Sequence, residues 1–303
     1  RVNTTTAFDQ FAPSVTGLAS GGYAISWVSA DQDGSGFGIY AQRYGSSGET
    51  VGDEFLVNTS TLDDQYDPAI VDLADGGFVA VWTAQSQEGL VSNQTGIYAQ
   101  LYDASGATIG GEIHINTTTP GYQTDARVAG LNGGGFVVSW TSSGQDGGGD
   151  GVYAQRFDAD GVALGGEILV NTTTADAQRL SAVTALANGG FVITWQSEGQ
   201  DGSGKGVYAQ RYDANGVPQG TEFLVNTTTA GDQAAPAIVA MDDGGFVVTW
   251  TSLGQDGSLA GIFAQRFDAN GIAWMTRVVG TANADIIDLR GDGNLEAAGS
   301  AGN

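Results

Sequence analysis

The chain has no cysteine, one histidine, one lysine (Lys205) and five prolines in 303 residues. Without cysteine there is no disulfide framework, no zinc–thiolate cluster and no thiol nucleophile. Ten basic residues against 34 acidic ones leave a net charge of −24, which excludes nucleic acid and anionic membrane surfaces as natural partners. No run approaches 18 apolar residues, so membrane insertion as a helix is excluded, and the opening RVNTTTAFDQ is not a signal peptide. The lack of an initiator Met is what a fragment or a processed chain would show. Glutamate is scarce too, with eight Glu beside 26 Asp, and Asp suits turns and hard-cation sites where Glu suits helices.

What is abundant is glycine, 49 residues without a G-X-Y period, which excludes collagen and indicates many turns. Apolar residues at 41% against 15% charged are enough for a core and argue against disorder. A repeat dominates the sequence. Trp27, Trp82, Trp140, Trp195 and Trp250 are 55, 58, 55 and 55 residues apart, and Asn3, Asn58, Asn116, Asn171 and Asn226 keep the same intervals. One three-residue insertion, between Trp82 and Gln100, explains the odd interval.

Each unit reads as four short strands, A to D. In the fifth, Phe246, Val248 and Trp250 alternate with Val247 and Thr249, the period-2 signature of a sheet. Asp-Gly and Asn-Gly pairs join A to B, and DASG, DADG and DANG join C to D, both suited to tight hairpins. No stretch has the 3.6 period of an amphipathic helix. The expected fold is all-β, a five-bladed β-propeller of four-stranded antiparallel blades over residues 1–279, with a β-solenoid as the competitor. RVNTTT matches the EFLVNTTT that ends the fourth unit, so the N-terminus is expected to lend the last blade its outer strand; Trp274 to Val279 is the second candidate.

Such a fold sends the D-to-A and B-to-C loops to one face, where the NTTT segments and the GQDG-type loops lie. Longer loops on a rigid scaffold are favoured binding positions. The ligand-binding candidates are therefore Gln32, Asp33, Gln145, Asp146, Gln200, Asp201, Gln255 and Asp256, with Tyr66 and Tyr122 as stacking platforms. Asp31, Asp33, Asp146 and Asp150 are candidate Ca²⁺ ligands, since hard cations take oxygen-rich loops; the competing role for an Asp before Gly is an Asx-type turn. The second unit has AQSQEGLVSNQ here, which breaks any ring of equivalent sites.

Other conserved-looking residues of the repeat have structural readings. Gln42, Gln100, Gln155, Gln210 and Gln265 recur between aromatics and are expected to be buried amides tying backbone groups together. Arg43, Arg156, Arg211 and Arg266 follow four of them. The Asn-X-Ser/Thr sequons at Asn3, Asn58, Asn93, Asn116, Asn171 and Asn226 are expected to cap loops rather than carry glycans. His114 fills a position that other units give to Leu, a packing substitution. Glu198, Arg127, Arg179 and Tyr122 depart from the repeat near the loop face, but they supply no evident pair of carboxylates for glycosidase chemistry.

Residues 280–294, GTANADIIDLRGDGN, resemble the opening of the calcium-binding nonapeptide array of RTX-type secreted bacterial proteins. Units such as GGFVVTWTSLGQDGSLAGIFAQRFDANG are similar to repeats of large extracellular RTX-type and adhesin-like proteins. The resemblance implies that 280–303 begins an RTX-like calcium-binding segment or linker with Asp285 as a Ca²⁺ ligand, although Leu295 stands where the next Asp belongs. It also implies secretion and an extracellular or cell-surface location. The leading functional expectation is a non-catalytic adhesion or scaffolding module that binds an extracellular glycan or cell-surface component. The alternative is a polysaccharide-acting hydrolase on a five-bladed propeller.

Overall fold

In the computed structural model, which describes residues 1–87, 94–274, 279–281 and 284–286, every unit folds into an antiparallel meander. Blade 1 comprises β1 (Gln10–Gly17), β2 (Tyr23–Ala30), β3 (Phe37–Tyr44) and β4 (Thr50–Leu56); blade 2 comprises β5 (Gln65–Asp72), β6 (Phe78–Gln85), β7 (Thr95–Tyr102) and β8 (Thr108–His114). Blade 3 follows with β9 (Gln123–Gly130), β10 (Phe136–Ser143), β11 (Asp150–Phe157) and β12 (Ile168–Leu169), and blade 4 with β13 (Gln178–Ala185), β14 (Phe191–Glu198), β15 (Lys205–Tyr212) and β16 (Phe223–Leu224). Blade 5 has β17 (Gln233–Ala240), β18 (Phe246–Leu253) and β19 (Ala260–Phe267), and a hairpin of β20 (Val279–Thr281) and β21 (Ala284–Ile286) comes last. The protein is a five-bladed β-propeller.

The A-to-B turns show why each unit carries two consecutive glycines. At Leu73–Gly77 the first glycine, Gly76, has φ +89°, a region that costs an L side chain dearly. Gly77 donates its N–H to Asp75 Oδ1 at 2.9 Å, and a Cβ there would collide with the carbonyl oxygen of Tyr102. Gly190 and Gly245 face Tyr212 and Phe267 in the same way.

The core lies between blades. Four hydrophobic clusters join blade 1 to 2, 2 to 3, 3 to 4 and 4 to 5, each centred on the tryptophan of the later blade. Trp82, Trp140 and Trp195 are fully buried and lie beside Tyr98, Tyr153 and Tyr208, with ring centroids 6.4 Å apart in each case. Gln42, Gln100, Gln155 and Gln210 are buried and Gln265 is half-buried, and Gln42 Nε2 donates to the carbonyls of Arg43 and Gly52 at 2.9 and 3.2 Å. His114 stacks on Tyr98 at 4.8 Å, which is how the outer strand accommodates it.

Closure differs from the leading expectation. Ala273 bridges Phe267, and Trp274 donates its N–H to Arg266 O at 2.9 Å, as Gln219 does to Arg211 O at 2.8 Å in blade 4. The outer edge of blade 5 therefore starts from the chain's own residues 273 and 274, the second candidate. Residues 1–6 stay with blade 1 instead: Thr4 N–H donates to Glu54 Oε2 at 2.6 Å and Asn3 Nδ2 to Gln10 Oε1 at 3.0 Å. The carboxylate of Glu54 holds the segment there. Most of the RTX-like segment lies outside the described residues; Asp285 is opposite Gly280 in the β20–β21 hairpin.

Candidate functional site

The loops named as binding positions are occupied by their own hydrogen bonds. Ser29 Oγ donates to Gln32 Oε1 at 2.7 Å, and Gln32 Nε2 donates to Glu54 Oε1 at 2.8 Å. Gln145 repeats this with Ser142 and Glu167, both at 2.7 Å, and Gln200 donates to Glu222 at 2.6 Å. Those glutamates also receive NTTT backbone, as in the 2.6 Å bond from Thr172 N to Glu222. Burial acts to raise the Glu167 carboxyl, yet hydrogen bonds from Thr117, Gln145 and Thr118 outweigh it and hold the group below its ordinary value. In blade 5 the repeat-equivalent of Glu222 is Arg277, outside the described residues, so Gln255 has no such carboxylate.

The GQDG aspartates close turns. Asp33, Asp146, Asp201 and Asp256 each accept the N–H two residues on, at 3.1, 3.0, 3.1 and 3.0 Å, the Asx geometry. The second oxygen of Asp146 accepts from Asn171 Nδ2 at 3.2 Å. Asn171 in turn accepts the Val152 N–H at 2.7 Å, and Asn58, Asn116 and Asn226 do the same for strand C of their blades. These buried sequons are caps; Asn93 lies outside the described residues. Asp150 is paired with Arg179 at 3.1 Å, and Asp31 is exposed at φ +54°. Among the described residues no three acidic or histidine side chains converge as metal ligands.

The chemically distinctive residues are on the innermost strands. Each strand A carries a bulge, at Phe11/Ser14, Tyr66/Ala69, Thr124/Arg127, Arg179/Ala182 and Ala234/Ala237, where two residues oppose the tryptophan of strand B. The first bulged residue is left-handed in all five blades: Ala12 (φ +48°), Asp67 (+52°), Asp125 (+56°), Leu180 (+54°) and Ala235 (+52°). Bulges re-aim side chains, and short polar side chains tolerate this region best. Only blades 2 and 3 place a carboxylate here.

Asp67 lines a cavity of ≈ 300 Å³ with Ala12, Pro13, Ser14, Pro68, Ala69 and Arg127. Burial first, and then the negative charge of Asp125, push its carboxyl above the ordinary value, while Arg127 pulls it back. Tyr66 is pushed up to about 12 by burial and then by Asp67, Asp64, Asp125 and Tyr122. Thr124 Oγ1 donates to Asp125 at 3.3 Å, and Arg127 Nη1 is anchored on the Ala126 carbonyl at 2.7 Å. Two carboxylates, a guanidinium and two phenols thus share one field. Burial and a neighbouring carboxylate favour the protonated form of Asp67, which is what a general acid needs.

Of the residues singled out in the sequence, Tyr66, Tyr122 and Arg127 belong to this cluster. Tyr122 is 55% exposed at the D-to-A loop. Arg179 is diverted to Asp150, and Glu198 is exposed at the end of β14 with Lys205 opposite. The carboxylate pair itself, Asp67 and Asp125, was not evident in the sequence. Its signal was present: aligned on the Gln that opens strand A, the units read QFAPS, QYDPA, QTDAR, QRLSA and QAAPA, with Asp in two of five.

No protein-family model matches the chain, and no curated protein matches it. Solved structures share its fold. A protein of unknown function from Dyadobacter fermentans aligns at 12% identity and TM-score 0.58 over 94% of this chain and 84% of its own. An α-L-arabinofuranosidase from Fusarium graminearum, solved with an iminosugar inhibitor, aligns at 13% identity and TM-score 0.58 over 89% and 80%. An α-L-arabinanase from Penicillium chrysogenum, complexed with arabinobiose, aligns at 13% identity and TM-score 0.56 over 86% and 78%. The expectation of a non-catalytic adhesion or scaffolding module is thereby corrected. Many of the loop groups meant to carry it are engaged in internal hydrogen bonds, and the solved structures that share the fold include an arabinofuranosidase and an arabinanase.

Proposed function

We propose that the protein is a glycoside hydrolase whose acid pair is Asp67 and Asp125. The observation that carries this reading is Asp67 in a cavity shared with Arg127, its carboxyl raised by burial and then by the nearby Asp125. Protonated Asp67 gives its proton to the glycosidic oxygen as the C–O bond breaks, and the leaving sugar departs as an alcohol. Asp125 stabilises the positive charge that develops at the anomeric carbon. It then takes a proton from the attacking water, or attacks that carbon itself before water releases the sugar. Arg127 limits how far the Asp67 pKa rises, and exposed Tyr122 offers a face on which a sugar ring stacks.

The arabinose-directed neighbours make arabinan and arabino-oligosaccharides the first substrates to try. The RTX-like run at 280–294 supports an extracellular setting, with Ca²⁺ as a ligand of the tail around Asp285 rather than of the blade loops. The test is release of reducing ends from arabinan, arabinobiose and a panel of other polysaccharides, with the product anomer followed by NMR. Turnover of at least one glycan, of defined stereochemistry, is expected; no release from any, by folded protein, overturns the reading.

A further inference from the structure

Strand A bulges are fastened from the preceding blade, and the two that carry carboxylates are exceptions. In blade 4 the first bulged residue, Leu180, donates its N–H to Thr141 Oγ1 of blade 3 at 3.3 Å, and the hydroxyl of the next residue, Ser181, meets Ser139 Oγ at 2.9 Å. In blade 5 Ala235 donates its N–H to Gln196 Oε1 of blade 4 at 3.1 Å. Thr141 and Gln196 each follow the tryptophan of their strand B, and both are buried. The residue after that tryptophan is thus the fastener for the next blade's bulge.

For the bulge of Asp67 the fastener position is Val28, whose side chain has no acceptor. For the bulge of Asp125 it is Thr83, whose side chain has one. Strand alternation points Thr83 toward blade 3, because Val79 and Val81 of the same strand pack there in one cluster with Ala126 and Val128. Yet Thr83 is at 0% exposure and its Oγ1 has no hydrogen-bond partner. A buried hydroxyl without a partner is costly and calls for an explanation. The same bulge supplies Arg127, which lines the cavity with Asp67, whereas Asp125 does not line it.

We propose that Thr83 is a positioning residue for Asp125: when a glycan occupies the cavity, the blade 3 bulge takes the fastened form of blade 4, with the Asp125 N–H on Thr83 Oγ1 and the carboxylate held at the cavity. This rests on the reading of Asp67 and Asp125 as the acid pair of a glycoside hydrolase. The fastened form is one this fold already makes, in blades 4 and 5. A ligand shifts such an equilibrium only by binding one form better, and the sugar does so by meeting the Asp125 carboxylate in the fastened form alone. The orphaned hydroxyl gains its partner in the same step. Asp67, behind Val28, has no counterpart to this switch.

The probe is the glycan of the panel that is turned over fastest, with arabinobiose tried first. Thr83→Val removes the acceptor and should lower kcat about tenfold to a hundredfold, with KM changed less than about twofold. Thr83→Ser keeps the acceptor and should stay within about threefold of the wild type. Because Thr83 Oγ1 makes no bond that Val would lose, the melting temperature of Thr83→Val should not fall. Gln196→Leu, which breaks the bond to Ala235, should lower the melting temperature and leave kcat within about twofold. In the slow Asp67→Asn protein, the Asp125 N–H should exchange at least about tenfold more slowly once the glycan is added, and Thr83→Val in the same chain should abolish that slowing. Folded wild type that cleaves no glycan overturns the glycosidase reading and this proposal together. Wild type that cleaves a glycan overturns the positioning role alone if Thr83→Val keeps full kcat, if its melting temperature falls along with kcat, or if the glycan leaves Asp125 N–H exchange unchanged.

Discussion

Asp67→Asn is expected to give a protein that is more stable at pH 7 and nearly inactive. The loss of a proton donor in the transition state costs about 10²- to 10⁴-fold in kcat. The gain in stability follows from the direction of the Asp67 shift. A carboxyl whose folded value is raised contributes stability that is complete below its unfolded value and is lost as pH climbs through the folded one. At neutral pH the native protein therefore bears the cost of ionising a partly buried carboxyl near Asp125, and the amide removes that cost. Asn also tolerates the left-handed backbone at this bulge (φ +52°), so the scaffold is undisturbed. Thermal melts from pH 4 to 8 should show the two proteins converging at acid pH and the variant melting higher at neutral pH. Parallel melting curves combined with full activity would remove Asp67 from the mechanism.

The second large effect concerns the scaffold. Trp140→Ala should cost about 3–5 kcal/mol, the range for deleting a buried aromatic, against a total stability of about 5–15 kcal/mol for a folded domain. Trp140 is at 0% exposure within the cluster between blades 2 and 3, and it opposes the bulge that carries Asp125. Its removal reaches the site as well as the core. Leu259→Ala, at a position 81% exposed, should move the midpoint of urea unfolding by about 0.5 kcal/mol or less. Equal effects of the two substitutions would mean that the blade junctions do not hold the array together.

The repeat made the architecture readable, because a tryptophan, a Val-Asn-Thr and an Ala-Gln recurring every 55 residues specify one supersecondary unit copied five times. Turn chemistry was equally plain in the paired glycines. The loop face misled for a physical reason. Gln32, Asp33, Gln145 and Asp146 look like free donors and acceptors in one dimension, and only the fold brings Glu54 and Glu167 from strand D to consume them. Asp67 and Asp125 were hidden by the opposite effect. They lie inside strand A, where alternation marks scaffold, and nothing local announces the bulge on which both sit or the cavity that Asp67 lines.

The central claim is that Asp67 and Asp125 form one coupled acid pair, and carboxyl-carbon NMR titration of the wild type and of Asp125→Asn measures this most directly. The Asp67 carboxyl is expected to titrate above the ordinary aspartate value of about 3.9, because burial and then Asp125 raise it. In Asp125→Asn the Asp67 carboxyl should fall part of the way toward that value, because burial still raises it while the like charge of Asp125 has gone and Arg127 remains. An Asp67 signal that titrates at or below the ordinary value in the wild type, or one that Asp125→Asn leaves unmoved, would contradict the account.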